Sequence, residues 1–225
     1  MGIQQLENKI DFLTLSLAQQ GVDIGKVRWF GAAPDAHLTW GSVVSGDAFI
    51  EKARENGVFG EDKSILEIGP GYGRLLSSIK QKGLPFDHYT GLDISQSNID
   101  YLKSKFGNTQ VEFIRGDAET IELQRNYDSL ISSLTLKHLY PTFEKALLNV
   151  SKAMKANSVA CFDLLERASG GSQSVVEDDA KTYRRYYSRA EVMAILRETS
   201  FSFVKFDYVK HMEGRVRLLV VARKA

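Results

Sequence analysis

One cysteine, four prolines and almost no excess of either charge bound what this 225-residue chain can be. Cys161 can form no internal disulfide and has no Cys or His beside it at metal-ligand spacing, which argues against a disulfide-stapled scaffold or a zinc module and for a buried strand thiol. The 29 basic and 28 acidic residues leave a net charge of +1, so no global field draws the protein to nucleic acid or to a membrane. Apolar runs are short. Leu218-Leu219-Val220-Val221-Ala222 falls far below the ~20 residues of a membrane span, and no basic segment precedes an apolar stretch at the N-terminus. These absences predict a soluble, cytoplasmic protein with a small partner and no resident metal.

What is present is concentrated in Ile65-Leu66-Glu67-Ile68-Gly69-Pro70-Gly71-Tyr72-Gly73-Arg74-Leu75-Leu76: an apolar strand, an acid, three alternating glycines and a helix. Gly69, Gly71 and Gly73 can take positive φ and let a ligand approach the backbone with no Cβ in the way. The helix that follows aims its unsatisfied N–H groups and positive end at the turn, which suits a carboxylate or phosphate. A dinucleotide fingerprint, G-x-G-x-x-G, would place the third glycine one position later, where Arg74 stands. Glu67 would repel a pyrophosphate and attract a cation. The stretch E-x-G-x-G-x-G after a strand resembles motif I of the class I S-adenosylmethionine-dependent methyltransferases, whose donor carries a carboxylate, an amine and a ribose.

Beyond that turn, strand patterns at 63–68, 87–93, 111–116, 127–133 and 158–165 alternate with helical patterns at 73–82, 96–106 and 141–155. Such alternation reads as a parallel sheet covered on both faces. A helix over 190–199 and a hairpin of strands at 201–208 and 215–222, turning at Glu213-Gly214, complete the pattern. Seven strands ending in a hairpin resemble the same family's sheet. The expected fold is therefore α/β, Rossmann-like and doubly wound, with seven mostly parallel strands and an antiparallel last strand. Before it, Ile3, Leu6, Ile10, Leu13 and Leu17 at helical spacing, with a second helix over 46–56, predict an N-terminal helical cap. The division expected is 1–58 for the cap and 59–225 for the donor-binding domain.

The resemblance implies that Glu67, Gly69, Gly71, Tyr72 and Gly73 bind S-adenosylmethionine. Asp93, closing the second strand ahead of Ile94, is positioned to accept the ribose hydroxyls; an acid there could instead begin a helix, and Ser95 is itself a good cap. The family places an acid at Asp117 for the adenine amino group, with the N–H of Ala118 toward the ring; a turn aspartate is the alternative. Ser133 and Leu134, ending the fourth strand, would lie under the methionine moiety, or Ser133 could satisfy itself locally.

Methyl transfer from a sulfonium is an in-line displacement, so positioning and water exclusion matter most. A hydroxyl acceptor must also lose a proton, and His138, just past the fourth strand, is the candidate base, unless it supports the loop. His37 and Trp40, in an aromatic loop with Asp35, could close over the ligand, or Trp40 could simply anchor a cap. Tyr183, Arg184 and Arg185 could clasp an anionic or sugar-like acceptor, or form a solvated face with snorkelling arginines. Ser132-Ser133-Leu134-Thr135 lacks the N/D/S-P-P-Y/F string of nucleic-acid amino-methyltransferases. The expected reaction is transfer to an oxygen of a small molecule. A nitrogen acceptor, RNA, or binding without catalysis remain open.

Overall fold

The computed structural model describes residues 26, 29, 44–167, 169–176, 182–212 and 215–225. Within them the order is α1 (Asp47–Glu55), β1 (Gly60–Ile68), α2 (Arg74–Gln81), β2 (Phe86–Asp93), α3 (Gln96–Phe106), β3 (Val111–Arg115), β4 (Tyr127–Ser132), a 3-10 turn (Leu136–His138), α4 (Glu144–Ser151), β5 (Met154–Glu166), β6 (Gln173–Val176), β7 (Tyr183–Tyr187), α5 (Arg189–Glu198), β8 (Phe201–Met212) and β9 (Arg215–Lys224). Strands β3-β2-β1-β4-β5 run parallel. β9 inserts antiparallel between β5 and β8.

The strands read as unbroken apolar runs because both faces of the sheet are covered. On one face Leu66, Leu130, Phe162 and Val220 pack on Leu147 and Val150 of α4 and Leu196 of α5. On the other, Ile65, Ile131, Cys161 and Val221 meet Phe49 and Ile50 of α1, Leu75 and Ile79 of α2, and Leu102 of α3. Each such side chain contributes roughly 1.5–3 kcal/mol by leaving water. Helix α1, grouped with the cap in the sequence reading, packs in this second core. The helix starts follow side-chain chemistry: Ser95 Oγ accepts from Asn98 N at 3.3 Å ahead of α3, and Ser188 Oγ accepts from Glu191 N at 3.2 Å ahead of α5.

All seven expected strands form, as β1–β5, β8 and β9, and the described residues add two more. β6 and β7 pair antiparallel, and β7 lies parallel to the last residues of β5 through Leu165 and Tyr186. The sequence reading assigns no strand to the stretch holding Tyr183, Arg184 and Arg185, but Tyr183 and Tyr187 are buried aromatics at its two ends, and that packing makes a strand. The helix expected over 141–155 is confined to Glu144–Ser151, and β5 begins at Met154. No helix among the described residues is long and apolar enough to cross a membrane.

From β1 the chain winds outward to β2 and β3, and from β3 it returns to β4 on the other side of β1. The direction of winding therefore reverses between β1 and β4. Open α/β sheets bind ligands in the crevice outside the carboxyl ends of the strands at such a reversal; here that place lies between residues 69–73, which follow β1, and 133–138, which follow β4.

Candidate functional site

The glycines of the first loop all take the left-handed conformation, with φ of +71° at Gly69, +57° at Gly71 and +84° at Gly73. Their surroundings differ. A Cβ at Gly69 would lie 2.4 Å from Thr135, and one at Gly73 would lie 2.5 Å from Phe106, so both are needed for packing. A Cβ at Gly71 would meet nothing within 4 Å among the described residues. Of the three, Gly71 is thus the glycine whose Cβ direction is clear of them. Helix α2 starts at once after Gly73 with no side-chain cap, so its first N–H groups and positive end face the same region. Tyr72, half-buried, stands between the last two glycines.

Glu67 sits at the end of β1, buried, and receives the hydroxyl of Tyr89. Burial pushes its carboxyl up to about 7, against the Tyr89 hydrogen bond and the Arg74 charge that favour the ionised form. Asp93 ends β2 and ties three segments together: Oδ2 accepts from Gly71 N at 3.0 Å, Oδ1 from Ser95 N at 2.9 Å, and Asn98 lies at 3.5 Å. Burial raises its affinity for a proton, with these donors and the Ile94 N–H opposing the shift. Ser95, not Asp93, caps α3. Asp117 accepts from Glu119 N at 3.0 Å and pairs with Lys26 at 2.7 Å, while the Ala118 carbonyl is held by Asn149 at 3.1 Å.

Across the crevice, β4 runs into Ser133 and Leu134. Leu134 has φ of +63°, a costly conformation for a branched side chain. It is held by Asp163 of β5: Oδ1 accepts from Leu134 N at 2.8 Å, and Oδ2 takes the Ser133 hydroxyl and His211 Nε2, the latter at 2.9 Å. Although burial pushes Asp163 upward, His211, Ser133 and the Leu134 N–H together hold its carboxyl below the usual value. Arg74 spans the crevice, donating to Ser133 Oγ at 2.7 Å and to the Ser45 carbonyl at 3.0 Å.

His138 is buried beneath Trp29, whose ring centroid lies 4.6 Å away, and its Nδ1 lies 2.7 Å from the Tyr183 carbonyl. A carbonyl only accepts, so Nδ1 carries the proton and the lone pair of the neutral ring belongs to Nε2. The side chains of Tyr183 and Arg185 are engaged within the fold: the phenol donates to the Pro141 carbonyl at 2.7 Å, and Arg185 bonds Ser174 at 2.9 Å and Glu191 at 2.6 Å. Arg184 falls on the opposite face of β7. His37 and Trp40 lie outside the described residues.

The structure thus brings Glu67, the glycine loop, Asp93, Ser133, Leu134 and His138 to one sheet edge. Asp163, His211, Arg74 and Lys137 escape the sequence reading. One signal was present for Asp163, an acid inside the apolar run Cys161-Phe162-Asp163-Leu164-Leu165, since such an acid must find donors.

Residues 65–157 match the model of a methyltransferase-domain family. Over 96 residues the chain is 30% identical to a fatty-acid O-methyltransferase of Mycolicibacterium smegmatis, covering 42% of this chain and 34% of that protein. Over 90 residues it is 34% identical to a malonyl-[acyl-carrier protein] O-methyltransferase of Priestia megaterium, covering 39% and 32%. The match spans about a third of the length of these curated relatives. Among solved structures, a Burkholderia thailandensis 1,6-didemethyltoxoflavin-N1-methyltransferase, with its substrate and S-adenosylhomocysteine bound, superposes with a TM-score of 0.67 at 17% identity, covering 85% of this chain and 83% of that one. That likeness establishes the fold.

Proposed function

We propose that this chain, which belongs to the class I S-adenosylmethionine-dependent methyltransferases, moves a methyl group from S-adenosylmethionine to an oxygen of a small-molecule acceptor. The observation that carries the reading is the turn of three left-handed glycines between buried Glu67 at the end of β1 and the N-terminus of α2, where a Cβ at Gly71 would meet nothing within 4 Å among the described residues and Asp93 bonds the Gly71 N–H. This donor set fits an amino-acid-bearing nucleoside. The α2 N–H groups suit its carboxylate, Asp93 its ribose, and Glu67 its cationic end. Asp117 and Ala118, at the end of β3, complete the adenine side. When bound, the donor supplies a methyl group on a sulfonium. The chain's own contribution is to hold that group in line with the acceptor, to exclude water with Leu134 and residues of the expected cap, and to take the acceptor's proton on His138 Nε2. The named activities of the two curated relatives, both O-methyl transfer, favour oxygen over nitrogen.

Two substitutions test the assignments. Asp93→Ala removes a charge-assisted acceptor worth about 1.5–3 kcal/mol, so donor affinity measured by calorimetry should fall about 10- to 100-fold. Unchanged affinity would refute the ribose role. With a hydroxyl acceptor, His138→Gln is expected to lower kcat by about 100-fold, the usual scale for a lost general base, and to erase the acid limb of the rate profile. Near-normal turnover across pH would remove His138 from the chemistry.

A further inference from the structure

Lys26 and Trp29 stand well before α1 in the chain, yet both meet the loops at the carboxyl edge of the sheet. Lys26 Nζ lies 2.7 Å from Asp117 Oδ2 and 2.6 Å from Glu119 Oε2, with 16% of its side chain exposed. Asp117 closes the group from the other side, since its Oδ1 accepts from Glu119 N. One ammonium thus joins two carboxylates that would otherwise repel each other. Trp29 lies against the ring of His138, the centroids 4.6 Å apart and the planes tilted by 51°. Its own N–H donates to the Lys26 carbonyl at 3.0 Å, so the two residues begin and end a single turn.

The topology says what this turn crosses. Asp117 and Glu119 follow β3 and His138 follows β4, and the strand order β3-β2-β1-β4 sets the ends of β2 and β1 between them. Three inter-strand steps amount to about 14 Å. The turn bridges that gap because lysine and tryptophan are both long and reach to opposite sides. Between their anchors lie Asp93 at the end of β2 and residues 69–73 after β1, the groups assigned above to the ribose and the amino-acid end of the donor. The sequence reading looked to His37 and Trp40 for a contact of this kind; Lys26 and Trp29 make it.

We propose that Lys26 and Trp29 are positioning residues of the transfer site, joining its adenine side to the proposed base. Lys26 acts through Asp117 and Glu119, holding both carboxylates in place for the adenine edge. Trp29 acts through His138: the Tyr183 carbonyl fixes the imidazole at Nδ1, and the indole fixes the plane of the ring and keeps water from one of its faces. Because one short turn carries both contacts, occupation of the adenine side is felt at His138, and loss of either anchor loosens the other. This deepens the methyl-transfer reading and rests on it for the identity of the ligand.

The test is calorimetric titration of the full chain with adenosylhomocysteine, beside the fluorescence of Trp29 read in a Trp40→Phe background, which leaves it as the one indole of the chain. Lys26→Met is expected to weaken binding at least about tenfold, the scale of a lost charge-assisted contact. Lys26→Arg keeps the charge and presents a fork to the two carboxylates, so its affinity should stay within about threefold of the parent. Saturating nucleoside should shift the Trp29 emission, and Lys26→Met should abolish that shift at equal occupancy, a change that a residue holding only the fold would not cause. Lys26→Gln repeats both measurements should the methionine variant fail to fold. Parental affinity in the folded variant, a loss that arginine does not restore, or a Trp29 emission that ignores either the nucleoside or the substitution at Lys26 makes this inference fail alone. If the parent chain does not bind adenosylhomocysteine, the methyl-transfer reading fails, and the turn then has no donor to position.

Discussion

Asp163→Ala is expected to destabilise the protein by about 3–5 kcal/mol, the range for breaking a buried ion pair by deleting one partner. The carboxylate is fully buried and receives Ser133, the Leu134 N–H and His211. Alanine would orphan all three donors and remove the carboxylate whose charge favours the protonated forms of Lys137 and Arg217. It would also release Leu134 from a conformation with positive φ that its own side chain does not favour. The pH dependence follows from the direction of the shift. A carboxyl held below its unfolded value stabilises the fold fully above about 4, and that contribution disappears as the pH falls through the lower folded value. The gap between parent and variant in urea denaturation should therefore be constant near neutrality and narrow in acid. Combined with Lys137→Met, the loss should be smaller than the sum of the single effects, because the second substitution removes a charge that the first leaves uncompensated. A loss under about 1 kcal/mol, the level of an ordinary exposed pair, would show that Asp163 does not anchor this edge.

The features legible in the sequence are those whose demands are local. Three alternating glycines after an apolar strand announce a turn of positive φ, and all three adopt it. The β-α alternation announces a parallel sheet, since a strand covered on both faces has no polar side to show. Asp93 was legible for the same reason: it ends its strand beside a helix start. What escaped depends on partners far apart in the chain. Tyr89 meets Glu67 across 22 residues, and His211 meets Asp163 across 48. No periodicity marks such pairs. Lys137 was hidden in a different way, because in a string it reads as an ordinary surface cation between Leu136 and His138, and only the approach of β7 and β9 encloses it. The same aromatic packing that turns Tyr183–Tyr187 into a strand splits the two arginines there. Arg185 goes to Glu191, and Arg184 goes to the Lys137 side.

The glycine loop offers the sharpest separation between holding the fold and holding the ligand. Gly69→Ala combines a left-handed backbone, costing roughly 1–2 kcal/mol for a residue with a Cβ, with a carbon placed 2.4 Å from Thr135. Thr135 cannot swing aside freely, because its hydroxyl bonds the Gly69 carbonyl at 3.2 Å and the Ser133 carbonyl at 3.3 Å. Overlap and strain together should cost roughly 3 kcal/mol or more, in the range of other overpacked sites with backbone strain, and Thr135→Ala in the same chain should return part of it. Gly71→Ala carries a similar backbone penalty but meets no atom within 4 Å among the described residues, so it should lose only about 1 kcal/mol and fold with an unchanged denaturant slope. Its added methyl group nevertheless fills the space where the backbone is bared. Affinity for adenosylhomocysteine should fall at least tenfold in this variant, the equivalent of about 1.4 kcal/mol. Fully retained affinity in a folded Gly71→Ala protein would mean that the ligand does not approach the turn at all. The crevice between β1 and β4 would then have to be assigned to something other than the methyl donor.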